Sequence, residues 1–142
     1  MSTRKRFDRD LYEKYDQLAK EATTNLLTNL GYSVEDHPDR YAQDLVVYST
    51  AGDIAYLAEC EVKLVWKGDT FPYDSVQLPQ RKSKFFEDLT RFFIWNNELT
   101  QAMTFYSSEI AMLDPVEVPN KYVHSGEYFY QIPLELVEQV SA

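Results

Sequence analysis

The segment Ile54-Ala-Tyr-Leu-Ala-Glu-Cys-Glu-Val-Lys-Leu-Val-Trp66 decides the fold. Successive side chains of a strand point to opposite faces. Read as one long strand, the segment puts Ile54, Tyr56, Ala58, Cys60, Val62, Leu64 and Trp66 on one face and Glu59, Glu61 and Lys63 on the other. The first face is expected to meet a core, and the second presents three charges in a row. Upstream, Ser49-Thr-Ala-Gly-Asp53 has turn composition, Leu45-Val-Val-Tyr48 reads as a second strand, His37-Pro-Asp-Arg-Tyr-Ala-Gln43 as a loop and Tyr32-Ser-Val-Glu35 as a first strand. Before these, Leu11, Tyr15, Leu18, Ala22, Leu26 and Leu30 recur every three or four residues, which predicts an amphipathic helix closed by Gly31.

Downstream, Lys67-Gly-Asp-Thr70 closes the long strand and Ser75-Val-Gln-Leu78 reads as a short one. A second helix is expected from Pro79, with Phe85, Phe86, Leu89, Phe92 and Phe93 along one side and Arg81, Lys82 and Lys84 in its first turns. Basic groups at a helix N-terminus oppose the macrodipole, so their placement points to a role besides helix stability. Apolar runs at Ala102-Tyr106, Ile110-Leu113 and Glu127-Ile132 add further strands. The expected class is α/β, with a central mixed sheet.

At 142 residues the chain is expected to form one domain, 1–142, with no linker or repeat dividing it. No apolar run is long enough for a membrane span. A single cysteine, Cys60, and no secretory signal pattern after Met1 make the cytoplasm the expected compartment. The net charge of −9 opposes nucleic-acid binding by the chain as a whole. The charge is uneven, however: residues 101–142 hold one base, Lys121, against six acids, whereas Thr3-Arg-Lys-Arg-Phe-Asp-Arg9 and Arg81-Lys-Ser-Lys84 are basic.

Two histidines, His37 and His124, and one cysteine form no zinc-ligand spacing and no Cys/His nucleophile pair. Four glycines form no phosphate-binding loop. Chemistry must therefore come from carboxylates and lysine. Asp44 leads into the second strand, while Glu61 and Lys63 lie two apart on the charged face of the third, so adjacent strands would set the two acids side by side. Two carboxylates that close repel unless a cation lies between them, and oxygen ligands suit Mg²⁺. Lys63 could then orient the attacking water or stabilise charge on phosphorus.

These residues carry a resemblance. Asp44, an apolar strand, a turn and Cys60-Glu-Val-Lys63 resemble the core of the PD-(D/E)XK nuclease superfamily, the restriction-endonuclease-like fold. The helix ending in Gly31-Tyr-Ser-Val and the basic helix start after the central strand are similar in order to small archaeal-type Holliday junction resolvases. The likeness covers about residues 10–98 and leaves 99–142 as an acidic, strand-containing extension. It implies an αββαβ core whose mixed sheet is flanked by helices. It also implies hydrolysis of DNA phosphodiesters, structure-selective or weakly sequence-specific, in branched or flexible DNA and by a homodimer. The implied metal is Mg²⁺, replaceable by Mn²⁺, on Asp44, Glu61 and the backbone carbonyl of Val62, with Lys63 assisting. A helix acid, Glu21 or else Glu13, would join them, Glu59 would support them, and Gln77, Arg81, Lys82 and Lys84 would hold the nucleic-acid backbone.

The chain departs from the family motif at Gln43, which stands where proline would precede Asp44, while a literal Pro38-Asp39 pair lies five residues earlier and makes Asp39 the reserve. Trp66, Phe71 and Tyr73 could stack on unpaired bases or simply pack. A reading from another class is a catalytically silent nuclease fold serving as an acidic module that binds a protein partner.

Overall fold

In the computed structural model, which describes residues 9–118 and 127–142, the alternation of the central segment is realised only in its middle: Tyr56, Ala58 and Cys60 are buried on one face of a strand, whereas Ile54 and Leu64 are exposed and Trp66 packs in the opposite layer. In chain order the elements are α1 (Arg9–Asn29), β1 (Ser33–Asp36), β2 (Leu45–Tyr48), β3 (Ile54–Val62), β4 (Ser75–Pro79), a 3-10 helix (Gln80–Phe85), β5 (Thr90–Trp95), β6 (Gln101–Tyr106), α2 (Ser107–Ile110), β7 (Val116–Val118), β8 (Glu127–Pro133), a 3-10 turn (Leu134–Leu136) and β9 (Glu138–Ser141). The described strands form a six-stranded sheet, ordered β1-β2-β3-β5-β6-β9, and a three-stranded sheet, ordered β4-β8-β7. Within the large sheet β3 and β5 run parallel, and the other neighbours are antiparallel. The protein is thus mixed α/β with a mixed central sheet and few helices.

Helix α1 covers one face of the large sheet. Ala19, Thr23 and Leu27 are fully buried against Leu45, Val47, Tyr56, Ala58, Cys60, Phe93 and Trp95. The Trp95 indole N–H donates to Thr23 Oγ1 at 2.9 Å, which satisfies a polar atom that burial would otherwise penalise. Gly31, at φ +99°, ends the helix as expected, with Gly31 N–H donating to Thr28 O and Tyr32 N–H to Leu27 O, the bond pair of a Schellman cap.

The other face meets the three-stranded sheet instead of a helix. Phe92, Ile94, Met103 and Phe105 of the large sheet pack on Val76, Leu78, Tyr130 and Ile132 of the small one, with Trp66 and Phe71 closing the end. Two expectations are corrected here. The helix expected from Pro79 is only the short 3-10 helix Gln80–Phe85, and Phe92 and Phe93 lie on β5, pointing to opposite layers. The reason lies in Thr90-Arg-Phe-Phe-Ile-Trp95, a run of strand-forming residues apolar on both faces because both are covered. The sheet is therefore flanked by a helix on one side and a sheet on the other.

β3 also stops at Val62, four residues short of Trp66, although Lys63 N–H still reaches Trp95 O at 2.8 Å. The stretch 99–142 is woven into both layers, supplying β6 and β9 to the large sheet and β7 and β8 to the small one. Residues 3–8 of the N-terminal basic cluster, Lys121 and His124 lie outside the described residues. Among the described residues no helix is long and apolar enough to cross a membrane.

Because β5 is sandwiched, truncation on either side should be equally damaging. Phe92→Ala and Phe93→Ala are each expected to cost about 3–5 kcal/mol in urea unfolding. Arg91→Ala, whose side chain lies on the Phe93 face, removes no fully buried ring and is expected to cost less, serving as the milder control.

Candidate functional site

Asp44 sits immediately before β2, where the ladder to β3 ends with the Leu45–Ala58 pair. Its backbone carbonyl still accepts from His37 N–H at 3.0 Å, and its Oδ2 accepts from Cys60 N–H at 2.9 Å. The carboxylate thus replaces a strand–strand bond and is fixed by it. Gln43, in the place of the family's proline, is 4% exposed and donates through Nε2 to Thr90 Oγ1 at 3.0 Å. That bond ties the entrance of β2 to the start of β5.

Glu59 and Glu61 project from the face of β3 opposite Cys60, toward the small sheet. Glu59 is 9% exposed and is ion-paired to the Lys82 ammonium, which the 3-10 helix delivers. Burial pushes the Glu59 carboxyl up to about 7; neighbouring Asp44 adds to the rise, and Lys82 opposes it. The Glu61 side chain is partly exposed, yet its Oε1 is buried without a hydrogen bond and has Lys63 Nζ at 4.0 Å. Lys63 Nζ in turn donates to Gln77 O at 3.4 Å. Among the described residues the other buried side-chain atom lacking a hydrogen bond is Trp66 Nε1, in the apolar core edge-on to Phe71.

A further acid comes from α1. Asp16 is half-buried, and burial, reinforced by the Asp44 and Glu61 carboxylates, raises its pKa from 3.8 to about 6 against the pull of Lys82 and Lys20. Asp44 and Lys82 therefore act on both Asp16 and Glu59, and Glu61 acts on Asp16. Lys20 is drawn aside to Asp36 at 3.3 Å. Sequence reasoning missed Asp16 because the helix stripe was placed one position off. The fully buried positions are Ala19, Thr23 and Leu27, and three residues before Ala19 that stripe reaches Asp16. An acid on a core-facing stripe is the signal that could have found it.

The remaining expected residues are placed as follows. Glu21 is exposed and accepts from Gln17 Nε2 at 3.3 Å, and five residues on from Asp16 it points roughly 140° around the helix. Glu13 is exposed on α1. Asp39 Oδ1 accepts from Tyr41 N–H at 2.9 Å while Asp39 N–H donates to His37 Nδ1, so it serves its own loop. Val62 ends β3, with its side chain against the α1 layer. Gln77 lies opposite Gln131 in the small sheet, on the face away from Val76 and Leu78. Arg81 and Lys84 are exposed, Lys84 over the Phe85 ring, whereas Lys82 is committed to Glu59. Trp66 and Phe71 are core, and Tyr73 is exposed beside Phe71.

Carboxylates and lysines at the end of a sheet can bind a hard cation, hold water and stabilise developing negative charge. Among the described residues no three acid, histidine or cysteine side chains converge tightly enough to enclose a metal unaided. No protein-family model, curated protein or solved structure matches the chain.

Crowded acids should leave a mark on stability. The folded state holds the Asp16 proton up to about pH 6, whereas an unperturbed aspartate releases it near 3.8, so this group's contribution is full below that value and is lost as pH rises through 6. Asp16→Asn is therefore expected to raise the Tm by about 2–5 °C at pH 8 and to change it little at pH 3.5. Thermal unfolding of both proteins at the two pH values checks this, and an equal shift at both would contradict it.

Proposed function

We propose that the chain is a metal-dependent endonuclease of the PD-(D/E)XK type, cleaving phosphodiester bonds in DNA. One observation carries this reading: Asp44, pinned by the Cys60 amide, and Glu61, with a buried oxygen lacking a hydrogen bond, share one end of the sheet with the Lys63 ammonium. The order helix, antiparallel strands, long strand and parallel return strand supports the restriction-endonuclease-like arrangement, with β4 and a 3-10 helix standing where that family has a crossover helix.

The donor set fits Mg²⁺, a cation that takes one or two protein carboxylates and keeps several waters, so the lack of a three-ligand cage is no obstacle. Asp44, Glu61 and the Val62 carbonyl would hold it, with Mn²⁺ a substitute and Asp16 replacing Glu21 as the helix acid. The ion when bound polarises a phosphate oxygen and lowers the pKa of water. Lys63 orients the water and offsets charge building on phosphorus, and its bond to Gln77 O holds the ammonium at the rim of the site. Exposed Arg81 and Lys84 grip the backbone without reading bases. The two-layered fold with exposed basic residues beside the site suits branched or flexible DNA in the cytoplasm, and symmetric cutting of two strands suits a homodimer.

The silent acidic module that binds a protein partner is the second reading, favoured by the net charge of −9 and by the commitment of Lys82 to Glu59. Incubation with supercoiled plasmid, single-stranded DNA and a four-way junction, with Mg²⁺ or Mn²⁺ and then EDTA, separates the two. Metal-dependent cleavage is expected, falling by about 10²–10⁴-fold in Asp44→Asn, Glu61→Gln and Lys63→Ala while the Tm stays within a few degrees. Wild-type inactivity on all substrates, or variants as active as wild type, would overturn the nuclease reading.

A further inference from the structure

We propose that Arg91 anchors an oxyanion-binding site on the α1 face of the large sheet, suited to free phosphate or a phosphate monoester. The site lies across the sheet from Glu59 and Glu61 and is independent of the nuclease reading.

The strand register brings its parts together. Arg91 stands opposite Ala58 on β3 and Tyr106 on β6, and residues opposite one another share a face. Its Nε donates to Thr104 Oγ1 at 2.8 Å and its Nη1 to Tyr56 Oη at 3.0 Å. Its Cζ lies 4.8 Å from the centre of the Phe93 ring, 5.3 Å from that of Tyr106 and 5.6 Å from that of Tyr56. Two hydrogen bonds and three rings hold the guanidinium in one orientation. The side-chain freedom that a loose surface arginine gives up on gripping an anion has here been given up in folding.

The donors left over are the sign of a missing ligand. Three of the five guanidinium N–H groups, one on Nη1 and both on Nη2, have no acceptor in the protein, and Nη2 is not buried. With 23 acids in the chain against 14 bases, no described carboxylate is ion-paired to this cation. The acids on adjoining elements are placed otherwise: Glu109 accepts from Tyr106 N–H at 3.0 Å, and Glu138, opposite Thr104 on β9, is exposed. Tyr56 supplies a further donor. Its oxygen accepts from Arg91, which leaves its own proton to donate, and burial raises its pKa and keeps that proton in place. A carboxylate or a phosphodiester brings two free oxygens and one charge to such a set. A terminal phosphate brings three oxygens and nearly two charges, and so meets these donors most completely.

The test titrates inorganic phosphate into the full-length ¹⁵N-labelled protein at constant ionic strength and pH 8, above the second phosphate pKa of about 6, while the Arg91 Nε resonance is followed. A saturable shift is expected, with dimethyl phosphate and acetate binding more weakly. Tyr56→Phe is expected to weaken phosphate binding about 10-fold, Arg91→Lys to weaken it further through loss of the planar fork, and Arg91→Met to abolish it. The absence of a saturable shift at Arg91 in wild type overturns the site, as does phosphate binding of wild-type strength in folded Arg91→Met or Arg91→Lys. Acetate or dimethyl phosphate binding as tightly as phosphate overturns the assignment to a terminal phosphate. The wild-type titration decides the question even where a variant does not fold.

Discussion

A parallel strand pair cannot be closed by a tight turn, and the pairing of β3 with β5 imposes that constraint on everything around it. The chain must leave β3 at Val62, travel back the length of the strand and re-enter at Thr90. Here the return is β4 and a 3-10 helix, and β4 serves as the seed on which β8 and β7 build a second layer. Once that layer is in place, the charged face of β3 is largely withdrawn from bulk water, Glu59 more so than Glu61. Glu59 and Glu61 must then find partners or remain buried with unmet oxygens, and the structure shows one of each. The candidate site is the product of a charged strand face being roofed.

How much of this was legible follows from which periodicities are unambiguous. The alternation of Tyr56, Ala58 and Cys60 against Glu59 and Glu61 is a period-two signal with polar contrast, and it placed the faces of β3 correctly. Gly31 marked the helix end because the left-handed conformation there favours glycine. Thr90–Trp95 has no contrast, since both of its faces are buried, and its phenylalanines fell by coincidence into helical spacing with Phe85, Phe86 and Leu89. The small sheet was invisible as a layer because β4 meets β8 across more than fifty residues, a pairing no local pattern announces. Within the site, Asp44, Glu61 and Lys63 could be named from strand geometry alone. Asp16 required the rotation of α1 to within one residue, and the commitment of Lys82 required knowing that its segment folds back over Glu59.

Electrostatics give the protein an asymmetric character. Acids that repel one another are collected at one sheet end, where burial lifts Asp16 and Glu59 above their ordinary range. Such an arrangement costs stability in the folded state, and proteins retain such costs where a site requires them. The α1 face of the sheet, one register position from Glu59, shows a different solution to charge near the core: Arg91 donates to Tyr56 Oη and Thr104 Oγ1 and lies among the rings of Tyr56, Phe93 and Tyr106. A delocalised cation is settled there by aromatic rings and hydroxyls, whereas on the opposite face Glu59 is settled by a lysine.

The interleaving of the two sheets also governs the order of events during synthesis. The large sheet ends in β9, paired to β6, and the small sheet depends on β8 for both of its other strands. Neither layer can be completed until residues past 127 have left the ribosome. Until then Phe92, Ile94, Val76 and Leu78 have no finished surface to meet, and β6 presents an unpaired edge. A nascent chain of this topology therefore carries exposed strand-forming sequence for most of its elongation. Pairings this distant are slow to close, so this stage is where chaperone binding or aggregation would compete with folding.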